Sequence, residues 1–355
     1  MPTIVSIGTA SPDHQHRQRD IMDFMLETLN PDEKTRKLLH VLYQRSGIEN
    51  RYSILPDFSL PAEERSFFKA NTPSPSIEQR MAIYTPTAVA LSLKAIQNCL
   101  KNVDSSEITH LITVTCTGLS APGLDILLMQ ALQLRPDIVR TSVNFMGCYA
   151  AIHGLKLADA FCKASPNAKV LVVCTELCTL HFQQATDLDA LLSSTLFADG
   201  SAACLVTSDT GEGLCIHEFY AQVALQGKAD MAWNLSSTGF LMALTNHVPQ
   251  LVKTEINGLL NKALEKVALR QEDIRHWAIH PGGRNIVEAA QQALHLPDEA
   301  LLPAYQVLHD YGNMSSPTIL FVLKEIMEKA QHQEPIFAVA FGPGITMESI
   351  VLKKV

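Results

Sequence analysis

The sequence lacks the long apolar runs and the strong positive charge that mark two large classes of protein. Its 355 residues contain no apolar run long enough to span a bilayer. The net charge of -8 leaves no basic surplus with which to neutralise a phosphate backbone. We therefore expect neither a membrane span nor a nucleic-acid partner.

The chain also lacks the features of a secretory signal and of a zinc site. It starts MPTIVSIG, with neither a basic segment nor a long apolar segment behind it. The eight cysteines lie mostly inside apolar stretches such as VLVVCTEL and SAACLVTS, which is typical of packed, reduced thiols. Cys174 and Cys178 have neither a second pair nor histidines at zinc-ligand spacing. These features predict a cytoplasmic protein without a metal site.

What the chain does have is an alternation of strand-like and helix-like segments. HLITVTCTG, AKVLVVCTEL and SAACLVTS predict covered strands, and CYAAIHGLKLADAFCKA has a helical pattern. The second half repeats the theme in IRHWAIH and RNIVEAAQQALHL, and two apolar runs around FGPG predict a final antiparallel pair. We predict an α/β fold of two similar layered units. The polar segment SDTGEG divides them into residues 1–210 and 211–355.

Three polar residues at the ends of predicted elements are candidates for catalysis. Cys148 lies between a strand and a helix, where exposed amides and the helix dipole favour a thiolate. His280 closes the strand-like IRHWAIH before Pro-Gly-Gly, and Asn313 lies between a glycine and a helix in DYGNMSSPT. Each has an ordinary alternative: a packed thiol, a surface loop histidine, and a turn or N-cap asparagine.

The order of Cys, His and Asn along the chain is also that of the papain-like proteases. The surroundings of Cys148 lack the CGSCW type of sequence that those enzymes have. A duplicated α/β layout does not suit their fold either. We therefore reject a cysteine protease.

Five motifs carry a resemblance to a known family: GCYAA around Cys148, LFADGSAA, HPGG, YGNMSS and FGPGITMESIVL. Along nearly its whole length the chain resembles the type III polyketide synthases, the chalcone-synthase-like branch of the thiolase superfamily. The resemblance implies a thiolase-like αβαβα five-layer sandwich built from two pseudo-equivalent halves. The half 1–210 would carry Cys148, and the half 211–355 would carry His280 and Asn313. A homodimer is implied as well.

The same resemblance assigns roles to the candidates. Cys148 would carry the acyl group as a thioester, with His280 helping to keep its sulfur as a thiolate. His280 and Asn313 would donate hydrogen bonds to the malonyl thioester carbonyl, where decarboxylation leaves an enolate. Phe197 matches the family's gatekeeper phenylalanine, whose apolar ring favours the loss of a charged carboxylate as CO2.

The substrates implied are malonyl-CoA and an acyl starter thioester, with no further cofactor. The product would be a resorcinol, a pyrone or a phloroglucinol-like ring. Plant enzymes bind coenzyme A partly through three basic residues of an early helix; here Arg45 keeps one position, and Leu38 and Val41 occupy the others. Nearby basic residues could compensate, or an acyl carrier protein could deliver the starter.

Six positions are assigned to the substrate pocket by the resemblance: Cys116, Ala121, His181, Ser193, Gly239 and Ser315. The first four depart from the plant enzymes, which have threonine, a methionine that reaches across the dimer interface, threonine and glycine there. The last two match. We interpret the combination of Cys116 and Ala121 as favouring an aliphatic, fatty-acyl starter.

Two other functions stay open. A ketoacyl-ACP synthase of the fatty-acid initiating type also uses Cys, His and Asn, although its histidine usually lies in an HQAN-like motif rather than in HPGG. A single condensation product without a ring would favour that enzyme. The other alternative is a non-catalytic scaffold homologue, against which the presence of all three candidate residues counts.

Overall fold

The computed structural model describes residues 1–69, 72–101, 103–208 and 211–355. Its strands are β1 (Thr3–Ala10), β2 (His14–Arg17), β3 (Asn50–Ser53), β4 (His110–Thr115), β5 (Val139–Asn144), β6 (Lys169–Leu177), β7 (Asp199–Thr207), β8 (Leu214–Val223), β9 (Met231–Ser236), β10 (Gly239–Leu244), β11 (His276–Ile279), β12 (Pro335–Gly342) and β13 (Thr346–Lys354). Its helices are α1 (Gln18–Leu29), α2 (Glu33–Arg45), α3 (Ile77–Cys99), α4 (Leu124–Ala131), α5 (Ala150–Ala164), α6 (Leu188–Leu196), α7 (Val248–Glu265), α8 (Arg284–Leu294), α9 (Leu302–Tyr311) and α10 (Thr318–Lys329). The apolar runs read as strands in the sequence coincide with β4, β6, β7, β11, β12 and β13.

Nine of the strands form one mixed sheet in the order β11-β12-β13-β8-β1-β7-β6-β4-β5. The strands of the amino-terminal half occupy one side of the sheet, and those of the carboxyl-terminal half occupy the other. The two groups meet at β1 and β8 through the pairs Thr3–Cys215 and Ile4–Leu214. The two predicted units are thus joined edge to edge.

Helices cover both faces of each group of strands. Helix α3 packs on β1, β6 and β7 from outside, and α7 packs on β8 and β13. Helix α5 contacts β4, β6 and also β13, while α10 contacts β1, β7, β11 and β12. Because α5 and α10 touch strands of both groups, they form the central layer. The result is the predicted αβαβα order of five layers.

Fully buried aliphatic side chains hold the central layer in place. Ile112 and Val172 of the first half and Leu320 and Ile350 of the second belong to one apolar cluster, and none of them is exposed to solvent. Burying a side chain of this size contributes about 1.5–3 kcal/mol relative to leaving it in water. The strands that appear in the sequence as continuous apolar runs therefore contribute side chains to this cluster.

The predicted domain boundary lies between residues 210 and 211, and residues 209 and 210 before it lie outside the described residues. The division at that point stays a prediction. In the part of the chain that the structure describes, no helix combines the length and apolar composition needed to cross a membrane. Over the same residues, no group of three or more His, Cys, Asp or Glu side chains is placed to hold a metal ion.

Gly8 of β1 lies directly against the backbone of α3, so a substitution there tests the packing of the two elements. A Cβ on Gly8 would lie 2.2 Å from the backbone nitrogen of Cys99 and 2.3 Å from the carbonyl oxygen of Ala95. We expect Gly8→Ala to lower the free energy of unfolding by about 1–3 kcal/mol, since the backbone must shift. Gly258→Ala in α7 is the matched control, because within the described residues no atom outside its own stretch of helix backbone lies within 4 Å of its Cβ position. Chemical denaturation should show an unchanged or raised midpoint for the control; an equal midpoint for Gly8→Ala would contradict the packing.

Candidate active site

A tight turn between β5 and α5 holds Cys148. Its backbone forms one 3-10 turn, Gly147–Tyr149, that leads directly into α5. Gly147 has a φ of 77°, and a Cβ on it would lie 2.2 Å from Cδ of Pro343. Glycine is needed here both for the left-handed backbone and for this contact. The GCYAA and FGPG motifs, one from each half of the chain, therefore pack on each other at the candidate nucleophile.

His280 and Asn313 reach the same space from the second half. His280 is the first residue after β11, and its backbone N–H donates to the carbonyl of Val339 in β12 at 2.9 Å. Its imidazole is buried, and neither ring nitrogen has a hydrogen-bond partner among the described residues. Asn313 follows the end of α9 and is buried as well. Both side chains line one cavity together with Cys148, so the three predicted catalytic residues converge.

A backbone bridge places Phe197 next to Asn313. The N–H of Asn313 donates to the carbonyl of Leu196 at 2.9 Å, and its carbonyl accepts from the N–H of Ala198 at 2.9 Å. Phe197 lies between these two bonds, and its ring lines the cavity of Cys148. The predicted gatekeeper position is therefore fixed to the predicted enolate donor through main-chain atoms.

The side-chain amide of Asn313 has a defined orientation. Its Oδ1 accepts the backbone N–H of Ser315 at 2.8 Å, and its Nδ2 donates to the carbonyl of Gly282 at 3.1 Å. Because a backbone N–H cannot meet an amide nitrogen favourably, the oxygen must lie on the Ser315 side. The Cys148 thiol faces the same Oδ1 at 4.0 Å. Within the described residues, one Nδ2 hydrogen is left for a ligand.

Burial dominates the electrostatics of the candidate nucleophile. It raises the pKa of Cys148 to about 11 and lowers the pKa of His280 to about 3, because burial disfavours the charged form of each group. This differs from the lowered thiol pKa expected at a helix start, since loss of solvation outweighs the helix amides. Burial raises the pKa of the other seven cysteines too, so acidity does not single out Cys148. An isolated thiolate is costly in such a site, because a buried pair of charges costs less than one isolated charge.

The cavity around Cys148, which we call the nucleophile cavity, is small and almost wholly apolar. Its volume is about 40 Å³. The predicted pocket residues Cys116 and Ser315 line it, along with Phe197. Sγ of Cys116 accepts the N–H of Gly147 at 3.0 Å, which supports the turn before Cys148. Cys116 therefore serves the site through packing and through this bond.

A larger neighbour, which we call the side cavity, adjoins the nucleophile cavity. It has a volume of about 360 Å³, and the predicted pocket residues His181 and Ser193 line it. Part of its wall is apolar and comes from Ile21, Met25 and Phe58. The wall shared by the two cavities consists of Cys178, Phe197, Trp233 and Met242. The small nucleophile cavity therefore has room beside it for a longer chain.

The remaining two predicted pocket residues lie elsewhere. Gly239 has a φ of 117°, and a Cβ on it would lie 3.0 Å from Nε of Arg80 and 3.1 Å from Nε2 of Gln183. It therefore packs behind the side cavity, whose described lining includes its neighbours Thr238 and Phe240 but not Gly239 itself. Ala121 is exposed on the surface of the single chain. Neither residue is among those that line the cavities of the single chain, and the pocket role of Ala121, at a position expected to act across a dimer interface, stays a prediction.

A third space, the entrance cavity, leads toward the surface. It has a volume of about 320 Å³ and shares Leu244, Gly282 and Ile286 with the nucleophile cavity. Arg45 lines it, as predicted for the coenzyme A site. Arg284, at the start of α8, lines it too and was missed from the sequence, where it is the residue directly after HPGG.

Sequence reasoning also missed Glu176, a carboxyl buried within β6. It accepts hydrogen bonds from the N–H of Cys116 at 2.8 Å, the hydroxyl of Thr117 at 2.9 Å and the hydroxyl of Ser316 at 2.8 Å. Burial raises its pKa to about 7, so its charge changes near neutral pH. The sequence feature that could have revealed Glu176 is its position as the single charged residue in the apolar run VLVVCTEL. Glu176 connects the segment directly after β4 to the loop that follows Asn313.

The chain matches the family model for chalcone and stilbene synthases, N-terminal domain, over residues 1–210, and the corresponding C-terminal domain over residues 216–355. It is 30% identical over 366 residues to an alpha-pyrone synthesis polyketide synthase-like protein of Mycobacterium tuberculosis, covering 99% of this chain and 91% of that protein. It is 27% identical over 361 residues to probable polyketide synthase 1 of Dictyostelium discoideum. That match covers 99% of this chain but spans only 11% of the much longer Dictyostelium protein.

A solved structure agrees with the sequence matches. The C-terminal type III polyketide synthase domain of Steely1, a type I/III hybrid from Dictyostelium, superposes with a TM-score of 0.92 at 27% identity. The superposition covers 100% of this chain and 99% of that domain. The two family models together span almost every residue, and the fold is shared from end to end. The chain belongs to the chalcone and stilbene synthase family, the type III polyketide synthases.

Proposed function

We propose that the protein loads an acyl starter onto Cys148, extends it with malonyl-CoA, and cyclises the product to a resorcinol, a pyrone or a phloroglucinol-like ring. The convergence of Cys148, His280 and Asn313 on one enclosed apolar cavity carries this proposal. Synthases of this family are acyltransferases that use malonyl-CoA and acyl-CoA substrates and are typically dimeric. A homodimer without a further cofactor is the form we propose here.

Loading begins with the Cys148 thiol and the His280 imidazole, both neutral at rest. As the sulfur attacks the carbonyl of the acyl thioester, its proton passes to His280. The C–S bond to coenzyme A breaks, and the leaving thiolate takes the proton back from His280. The free ring nitrogens of His280, buried without a partner among the described residues, support this shuttle role.

Extension begins when malonyl-CoA loses its carboxylate as CO2. The electron pair of the broken C–C bond moves to the thioester carbonyl, which becomes an enolate oxygen. The unused Nδ2 hydrogen of Asn313 and a ring N–H of His280 donate to that oxygen. Phe197, held beside Asn313, gives the carboxylate an apolar environment that favours its loss. The enolate carbon attacks the Cys148 thioester, and the sulfur leaves as a thiolate.

The cavities favour an aliphatic, fatty-acyl starter as the group held on Cys148. A nucleophile cavity of about 40 Å³ is too small for an extended chain, whereas the side cavity offers about 360 Å³ with an apolar part. At the entrance, Arg45 and Arg284 suit a phosphate, because a guanidinium binds phosphate through two hydrogen bonds. Coenzyme A and the phosphopantetheine arm of an acyl carrier protein both carry such a phosphate.

Turnover of radiolabelled malonyl-CoA with starters of increasing chain length tests the reaction. We expect labelled ring products, with the highest kcat/KM for a fatty-acyl starter, and a parallel set on acyl carrier protein compares the two carriers. Cys148→Ala should lower turnover by about 10⁴-fold or more, since the acyl carrier is lost. Cys215→Ala, at a cysteine in β8 outside the three cavities, is the control.

Three results would contradict this proposal. A well-folded protein that makes no product with any starter would contradict the proposed synthase function. A single condensation product without a ring would favour the fatty-acid initiating synthase. Full turnover by Cys148→Ala would show that the reaction does not pass through an acyl thioester on Cys148.

The pH dependence of Cys148 alkylation tests the role of His280. Burial holds the pKa of Cys148 at about 11 in the resting protein, so the wild type is expected to react as a thiol whose proton passes to His280 during the attack, and His280→Ala only through the rare thiolate. Alkylation by iodoacetamide should then rise with pH through the alkaline range, and at pH 7 it should be about tenfold or more slower than in the wild type. Mass spectrometry of the modified site gives the rates. Identical pH profiles for the two proteins would show that His280 does not support the thiolate.

Filling the side cavity should shorten the preferred starter. Ala190 of α6 lines this cavity, so Ala190→Leu removes space from it. We expect kcat/KM for the longest starters to fall by about tenfold, because overpacking costs roughly 1–3 kcal/mol, while short starters change little. Ala131→Leu, at the exposed end of α4, is the control. An equal loss for short and long starters would argue that the acyl tail lies elsewhere.

A further inference from the structure

Arg51 of β3 is a buried cation that takes no part in the proposed steps of loading and extension. Its side chain is 4% exposed. Its Nη1 donates to the carbonyl oxygens of Ser194 and Phe197, both at 2.7 Å, and its Nε donates to Oε1 of Gln18 at 2.8 Å. All three acceptors are neutral oxygens, although a buried charge is expensive. Two of them lie at the carboxyl end of α6, where the helix dipole favours a cation. This placement stabilises the end of α6 from which Phe197 emerges.

One planar peptide group connects Arg51 to Asn313. The carbonyl of Phe197 and the N–H of Ala198 belong to this group and point in opposite directions. Arg51 holds the oxygen of the group, and the N–H of the same group donates to the carbonyl of Asn313 at 2.9 Å. Rotation of the group would break both hydrogen bonds together. The guanidinium therefore sets the direction in which the Ala198 N–H points.

The stem of the same side chain packs on the residue before Asn313. Gly312 has a φ of 69°, and a Cβ on it would lie 2.8 Å from Cγ and 3.0 Å from Cδ of Arg51. The neighbouring Tyr52 stacks on Tyr311, with ring centroids 5.6 Å apart. Arg51 therefore contacts both segments that form the bridge, one through its guanidinium and the other through its stem.

Extension depends on the position of the Asn313 amide, whereas loading does not. In the proposed extension step, Asn313 donates to the enolate oxygen and Phe197 surrounds the carboxylate that leaves. The proposed loading step uses Cys148 and His280 alone. A misplacement of about 1 Å in such a site can cost roughly a hundredfold in rate. A change in the bridge should therefore slow extension and spare loading.

We propose that Arg51 is a positioning residue for decarboxylation: it fixes the peptide group between Phe197 and Ala198 and, through that group, the enolate donor Asn313. Arg51 also lines the side cavity, but its proposed role is exercised through the peptide group and involves no proton transfer. This role rests on the proposed synthase function.

Separate measurements of loading and of extension test the role. Loading is the acylation of Cys148 by the shortest acyl-CoA that loads the wild type, followed by mass spectrometry, so that a change in the side cavity has little effect. Extension is the release of labelled CO2 from carboxyl-labelled malonyl-CoA by the loaded protein. Arg51→Met keeps a stem over Gly312 and removes the donors, so extension should fall about a hundredfold while loading stays within about twofold. Arg51→Lys keeps a cation without the planar fork, so its extension should fall about tenfold.

Arg65→Met is the matched control. Arg65 is also a buried arginine, its Nε donates to the carbonyl of Leu60 at 3.0 Å, and it is not among the residues that line the three cavities. Its substitution should leave the ratio of the two rates unchanged. An equal loss of loading and extension in the Arg51 variants would show a general structural role, and unchanged extension would show no role. Either result would overturn the proposal and leave the synthase function intact.

Hydrogen exchange reports on the Arg51 contact without turnover. In Arg51→Met the Ala198 N–H should exchange about tenfold faster than in the wild type, because its peptide group is then held on one side only. The N–H of Val172 in β6 is the reference and should keep its rate. Equal protection of Ala198 in the two proteins would overturn the proposal. A wild type that makes no polyketide would contradict the synthase function itself, and the exchange of Ala198 would still decide whether Arg51 holds the bridge.

Discussion

One steric constraint governs the whole site: the turn that carries Cys148 packs directly against the loop after β12. A side chain on Gly147 would overlap Pro343, and one on Gly342 would lie 2.6 Å from the ring of Tyr149. Both glycines are therefore needed to bring the two halves of the chain together at the nucleophile. The same close packing helps to bury the thiol. Burial raises the pKa of Cys148, and Gly147 and Pro343 are among the residues that line the small cavity around it.

The layers and the three catalytic candidates were accessible from the sequence. Strands buried on both faces read as continuous apolar runs, so β4, β6 and β7 could be located without a structure. Cys148, His280 and Asn313 lie at the ends of such elements, and their motifs resemble those of one family. The acidity of the thiol was not accessible in the same way. It depends on burial by segments distant in sequence, which outweighs the local effect of the helix start.

Other parts of the site depend on packing that a sequence does not display. Glu176 looks like an ordinary residue near a strand end until the hydroxyl groups that surround it are known. Gly239 matches a pocket motif, yet its positive φ and its contact with Arg80 place it behind the cavity wall. Trp233 lies in a hairpin of mixed polarity, and only the folded structure shows that it lines two adjoining cavities and donates to the carbonyl of Cys116. Cavity volumes arise from such contacts together.

The bridge between Phe197 and Asn313 has a consequence for how relatives of this protein diverge. Both of its hydrogen bonds use main-chain atoms, so the side chain at position 197 can be exchanged without displacing the amide of Asn313. Exchange for another apolar side chain can therefore change the shape of the reaction chamber while the apolar surroundings proposed to favour decarboxylation are kept. A scaffold with this independence can give rise to many natural products from one inherited catalytic centre.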